Sequence, residues 1–268
     1  MKRFSGKHSP AWMQALKKQN IDPSHLSLKE LGAFRDFELF LNERIPGPPK
    51  WQYLVRCFRW LTAFGIITMQ TQGIEALSRC WHEMMEMFID AKIFEDDVFV
   101  QSWIFCDFPL DNDGKTVLDL FEKFVQKSGE MEDFQSFING MRQSRLGLYQ
   151  EMLNSKKTIK FRELISGKTA EVFRSIDEFE KGEIFLTRLV NIEVETYCFG
   201  DPKCWPKEYK TALEDMVRNK LFYFKAPTVE QQFEKFMKLA GPYWFSCVVQ
   251  DQSFPILNPD HYLEYHGD

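Results

Sequence analysis

His82 and Glu86 stand four residues apart with Glu83 between them, and Glu75 lies seven before His82. On a helix this spacing places Glu75, His82 and Glu86 on one face, as carboxylate-bridged metal centres require. Such a centre draws further ligands from a second acid-rich helix, and no other segment repeats the pattern, so a helix surface carrying one histidine is the simpler reading. His261 and His266 flank Glu264 near the end of the chain, where a solvated pair is the ordinary state. Cys198 and Cys204 are separated by five residues across Gly200-Asp201-Pro202, too far apart for a zinc knuckle and without a second pair. Asp107, Asp111 and Asp113 precede Gly114, but a calcium loop in that register would need its first and last ligands at Pro109 and Leu120. The segment reads as a polar turn with acids favouring the next helix. There is no G-x-G-x-x-G, no G-x-x-x-x-G-K-[ST] and no G-x-S-x-G. The expectation is a chain without cofactor or catalytic residues, leaning away from enzymes.

Two binding surfaces suggest themselves instead. Arg142, Arg145, Lys156, Lys157, Lys160 and Arg162 cluster around Tyr149 and Phe161. Small barrels hold single-stranded nucleic acid on basic, aromatic surfaces of this kind. Glu163, Glu171, Glu178, Glu180, Glu183, Glu193 and Glu195 share the same region, which favours a solvated sheet face. The second surface is the stripe Trp81, Met84, Met85 and Phe88, whose pliable apolar side chains could form a groove for a partner protein. Core packing is the commoner fate of such a stripe.

Periodicity supplies the elements that would carry these groups. Residues 1–25 form a basic arm, with Lys2, Arg3, Lys7, Lys17 and Lys18 and no acid before Asp22. Ser27 and Glu30 make a capping box for a helix that stops at Ile45-Pro46-Gly47-Pro48-Pro49. Helical spacing then recurs over 51–64, 71–91, 98–105, 116–124 and 131–153, giving a helical domain over 26–155. Near residue 156 the period changes from 3.6 to 2. Thr158–Arg162, Thr169–Arg174 and the long run Ile184–Phe199 alternate, with turns at Gly167 and Gly182. Three or four such strands make a small antiparallel sheet or partial barrel over 156–199, too small to stand without the helices. Helical spacing resumes through Leu213, Val217 and Leu221, and Thr228 and Gln231 box one more helix within a C-terminal part over 200–268. The fold class is α+β, mostly helical, with the sheet in the second half.

Composition bounds the rest. Among 268 residues 44% are hydrophobic and 26 are Phe, so the rings must be packed within the chain or against a partner. The net charge of −5 argues against a general attraction to nucleic acid or acidic membranes. No apolar run is long enough to insert in a membrane, and the first residues lack the pattern of a signal peptide. Six scattered cysteines in mostly apolar surroundings suggest a reducing, cytoplasmic setting.

One series of motifs carries a resemblance. Ser102-Trp103-Ile104-Phe105-Cys106-Asp107 is followed by Asp113-Gly114-Lys115-Thr116, then Ser144-Arg145-Leu146-Gly147-Leu148-Tyr149. Next come Ile159 to Gly167 and Gly182-Glu183-Ile184-Phe185 with Arg188-Leu189-Val190. The order is similar to a group of uncharacterised bacterial proteins in which W-x-x-x-D, D-G-x-T, L-x-D-L-x-T-G and G-D-x-x-x-x-R-L-V precede a zinc motif like the one ending the SecA motor. It spans about residues 100–200. The zinc motif itself is missing here, so zinc-mediated docking does not carry over, and the resemblance implies no activity or catalytic residue. The function expected is protein binding or adaptor work with an unidentified protein partner. Nucleic-acid binding through the basic arm and the Arg142–Arg162 surface is the alternative, and a metal-dependent enzyme around His82 the second alternative.

Overall fold

The computed structural model describes residues 44–71, 98–110, 114–155, 157–173, 182–239 and 241. Among these described residues four helices come first: α1 Pro49–Thr71, α2 Val98–Cys106, α3 Val117–Ser128 and α4 Met131–Gln143. Five strands follow, β1 Leu146–Asn154, β2 Thr158–Glu163, β3 Thr169–Phe173, β4 Ile184–Ile192 and β5 Glu195–Trp205. A short 3-10 turn leads into α5 Lys210–Leu221, and α6 is Val229–Leu239. The α+β class stands, and among the described residues no helix is long and apolar enough to cross a membrane.

Local chemistry accounts for the helix ends. Pro49 opens α1, where its missing N–H costs nothing. Thr116 caps α3 in a reciprocal box: its Oγ1 accepts from the Asp119 N–H, and the Asp119 carboxylate accepts from the Thr116 N–H at 2.9 Å. Gly129 closes α3 in the left-handed region at φ 79°. Thr228 caps the start of α6: its Oγ1 accepts from the Gln231 N–H at 3.2 Å and donates to Gln231 Oε1 at 3.1 Å. The stripe Leu54, Cys57, Phe58, Leu61 and Phe64 of α1 is buried at helical spacing. Phe64, Phe121 and Phe134 then join into one ring cluster, with Phe64–Phe121 and Phe121–Phe134 centroids 5.5 and 5.3 Å apart.

The helix expected over 131–153 ends at Gln143, and its last third is strand β1. Leu148 and Met152 satisfy a helical spacing, but Leu146 and Leu148 also satisfy a strand alternation. Tertiary pairing decides: β1 is antiparallel to β4 on one side and β2 on the other. The run Ile184–Phe199, expected as continuous, is a hairpin that turns at Glu193, the one non-glycine residue at positive φ (57°) among those described. β5 continues to Trp205, beyond the expected strand end.

The strands close into a barrel in the order β1-β2-β3-β5-β4. All neighbours are antiparallel except β3 and β5, whose parallel seam consists of the pair Phe173 and Tyr197. Tyr149, Ile159, Phe161, Val172, Phe185 and Cys198 fill the interior, with Phe161 and Phe185 centroids 5.5 Å apart. Alternate residues point outward into a second, larger core under the helices. Phe58 of α1 meets Phe199 of β5 edge-on at 4.8 Å, and Trp51 lies 6.1 Å from Tyr197. β4 is therefore buried on both faces and reads as an almost unbroken apolar run. The β2–β3 wall differs: Lys160, Arg162, Thr169 and Glu171 are exposed.

α4 approaches β4 so closely that a Cβ on Gly140 would collide with the Asn191 carbonyl oxygen and crowd Val190. Gly140→Ala is expected to destabilise by about 1–3 kcal/mol in urea titration, because overpacking against backbone outweighs the helix propensity gained. Burial of Asp119 opposes ionisation, but hydrogen bonds from Thr116 and Arg142 win and hold its carboxyl below the usual carboxylate range. That contribution is present above the unfolded carboxylate pKa of about 3.9 and is lost as pH falls through the depressed folded value. Asp119→Asn is thus expected to lower the melting temperature at neutral pH, with the gap to the parent narrowing below about pH 4.

Candidate functional site

The described polar residues converge where the helices meet the barrel. Arg188 sits mid-way along β4 on the outward face, sealed from solvent at 0% exposure. Its Nη2 donates to Asp107 Oδ2, and Asp107, just past the end of α2, is 7% exposed. Its Nη1 donates to Ser144 Oγ at 2.9 Å and to the Ser144 carbonyl at 3.3 Å, and Nη2 also reaches the Ser102 carbonyl at 3.4 Å. Ser144 is the residue that ends α4 in extended conformation, and its Oγ in turn donates to the Met141 carbonyl at 2.7 Å. One guanidinium thereby joins β4, α2 and the α4–β1 junction. Burial lifts the Asp107 carboxyl above the usual range, and the adjoining Arg188 opposes that lift.

A second pair lies beside it. Arg145 meets Glu163 with two contacts, Nη1 to Oε1 at 2.6 Å and Nη2 to Oε2 at 3.0 Å. Nη1 adds a close charge contact without hydrogen-bond geometry, and Nη2 makes the hydrogen bond to Oε2. Ser166 Oγ donates to the same Glu163 oxygen, and the guanidinium carbon lies 5.1 Å from the Phe233 ring centre. Trp103 Nε1 donates to the Lys238 carbonyl at 2.8 Å, tying α2 to the end of α6. The cluster therefore spans α2, α4, β1, β2, β4 and α6, with every charge matched by an opposite one.

Other titratable groups are likewise held in packing. Burial pushes the Cys57 and Cys106 thiols up to about 12, which keeps them protonated at neutral pH. Tyr53 donates to the Asp133 carbonyl at 2.9 Å and accepts from the Phe137 N–H at 3.2 Å, pinning α1 to α4. Cys198 faces the barrel interior with its Sγ 3.0 Å from Thr187 Oγ1, whereas Cys204 is exposed.

The basic cluster seen in the sequence divides in two. Arg142 is held by Asp119 at 3.0 Å and Glu122 at 2.7 Å, and Arg145 by Glu163. Lys157, Lys160 and Arg162 are exposed on the β1–β2 connection and β2, and Lys156 lies outside the described residues. The metal candidates Glu75, His82 and Glu86 and the partner stripe Trp81, Met84, Met85 and Phe88 also lie outside them, as do His261 and His266. Among the described residues no group of three or more His, Cys, Asp or Glu could hold a metal ion.

The sequence reading placed Asp107 in a polar turn and assigned Arg188 nothing; the structure joins them. Two signals could have found the pair. Arg188 interrupts an apolar strand run, and Asp107 follows directly on the apolar helix α2. Both also stand in the motif series described above, Asp107 in W-x-x-x-D and Arg188 in the R-L-V segment. Comparison with protein-family models, curated proteins and solved structures returns no match for the chain.

Breaking one side of the buried pair should be costly. Asp107→Ala is expected to destabilise by about 3–5 kcal/mol, because it strands the Arg188 charge away from water. The double change Asp107→Leu with Arg188→Met should recover most of that loss in the same chemical denaturation series.

Proposed function

We propose that this chain is a protein-binding or adaptor protein that performs no chemistry of its own. The observation that carries the reading is a pair of adjoining rings, tilted to one another and left in solvent. Phe222 and Tyr223 follow α5 with centroids 4.3 Å apart, 72% and 41% exposed. Val229, also exposed, opens α6 at the other end of the same connection. Single exposed apolar residues are ordinary. Two contiguous rings, in a chain where most other described aromatics are buried or half-buried and Tyr209 is also exposed, are the kind of anchor that dominates protein interfaces. The buried charges support the same reading, since each serves to join one element to another. The likeness to the bacterial family fits a scaffold of this type, because the Asp107–Arg188 contact gives two of its separated motifs one structural task.

Nucleic-acid binding is the second reading. Its favouring observation is Lys160 and Arg162 on the β2–β3 wall, the surface that five-stranded barrels commonly use for oligonucleotides. Against it, Arg142 is already paired with Asp119 and Glu122 at the surface, and Arg145 with Glu163 in the interior.

The test is affinity capture from lysate with the parent chain and with Phe222→Ser, Tyr223→Ser, read by mass spectrometry. A set of proteins captured by the parent and lost with the double variant, at unchanged melting temperature, is the expected result. Identical captures by both chains would remove the support for this reading.

A further inference from the structure

A different surface of the barrel points to the chemistry of a partner. Register places Leu153 of β1, Lys160 of β2 and Glu171 of β3 side by side across three strands, and Gln150, Arg162 and Thr169 in the next such row. Leu153 is 64% exposed, and Met152 beside it, at the bulge in β1, is also exposed. Lys157 is exposed on the connection to β2. Thr158 donates to Glu171 at 2.7 Å, which holds that carboxylate at the β3 side of the face. In a chain of net charge −5, this wall thus presents three cations beside an apolar edge, with one acid among them.

We propose that the outer face of β1–β3 docks an acidic segment of a partner protein, its carboxylates on Lys160, Arg162 and Lys157 and an apolar side chain on Met152 and Leu153. The proposal rests on the protein-binding reading above but uses a separate surface. Two observations favour a polypeptide over a nucleic-acid strand. Single-strand binding relies on aromatic platforms, and the outward ring on these strands, Phe173, is half-buried against Tyr197 at 6.0 Å. A phosphate backbone crossing the cations would also pass Glu171, whereas a peptide can offer Glu171 an N–H or hydroxyl donor. The cations and the apolar residues point outward from the ladder, so the partner lies across the face of β1–β3.

The experiment is fluorescence anisotropy of the full chain with three labelled probes: a Glu/Asp-rich peptide bearing leucines, the same peptide with its acids changed to Gln and Asn, and oligothymidylate. The acidic peptide is expected to bind, its uncharged counterpart about tenfold or more weaker. Lys160→Glu with Arg162→Glu should abolish binding, and Leu153→Ser should weaken it severalfold. If charge reversal lowers the melting temperature, Lys160→Ser with Arg162→Ser replaces it with the same expectation. Failure of the acidic peptide to bind overturns the proposal. So does binding that survives the substitutions, or oligothymidylate binding more tightly through the same residues. In those cases capture that depends on Phe222 and Tyr223 still stands or falls separately.

Discussion

The contact between Arg188 and Asp107 is the constraint from which the rest of the architecture follows. A charged strand residue fully withdrawn from water demands a carboxylate and several carbonyls in fixed positions. Meeting that demand sets where α2 ends, where α4 ends and how both lie on β4. The second pair, Arg145 with Glu163, fixes the β1–β2 corner and brings α6 in through Phe233. Apolar packing is tolerant of small slides, because one ring can replace another at nearly equal energy. Directional charge pairs are not, and they select one arrangement of this phenylalanine-rich chain among many compact ones.

The surplus of rings has a corresponding explanation. A five-stranded barrel with helices over β4, β5 and the start of β1 needs two apolar layers, one inside and one outside. The inner layer is small and uses Tyr149, Phe161 and Phe185. The outer layer must bridge from strands to helices, and Phe199, Tyr197, Trp51 and Phe58 span that gap. The wall left without such cover is polar and charged, which is the pattern a strand with one solvated face shows.

Legibility in the sequence followed the range of the interactions. The Thr116 and Thr228 caps were visible because both partners lie within three residues. The alternation of β2 was visible because one of its faces meets water. β1 reads as helix because its apolar residues fit both periods, and β4, which pairs its second side, lies some thirty residues further on. Asp107 and Arg188 are 81 positions apart, and although each stands out beside an apolar run, nothing local pairs the two. The sequence groups Lys160 and Arg162 with Arg142 and Arg145, and their separation into exposed and paired cations depends on where Glu122 and Glu163 lie.

The bond from Trp103 to the carbonyl of Lys238 spans 135 positions, and this has a bearing on how the chain is made. During synthesis the helical half leaves the ribosome long before α6, and even β1 must wait for β4 before its second side is paired. The early helices therefore spend that interval with their barrel-facing rings uncovered. Until the closing strands arrive, such a nascent chain presents the kind of apolar surface through which incompletely folded chains associate.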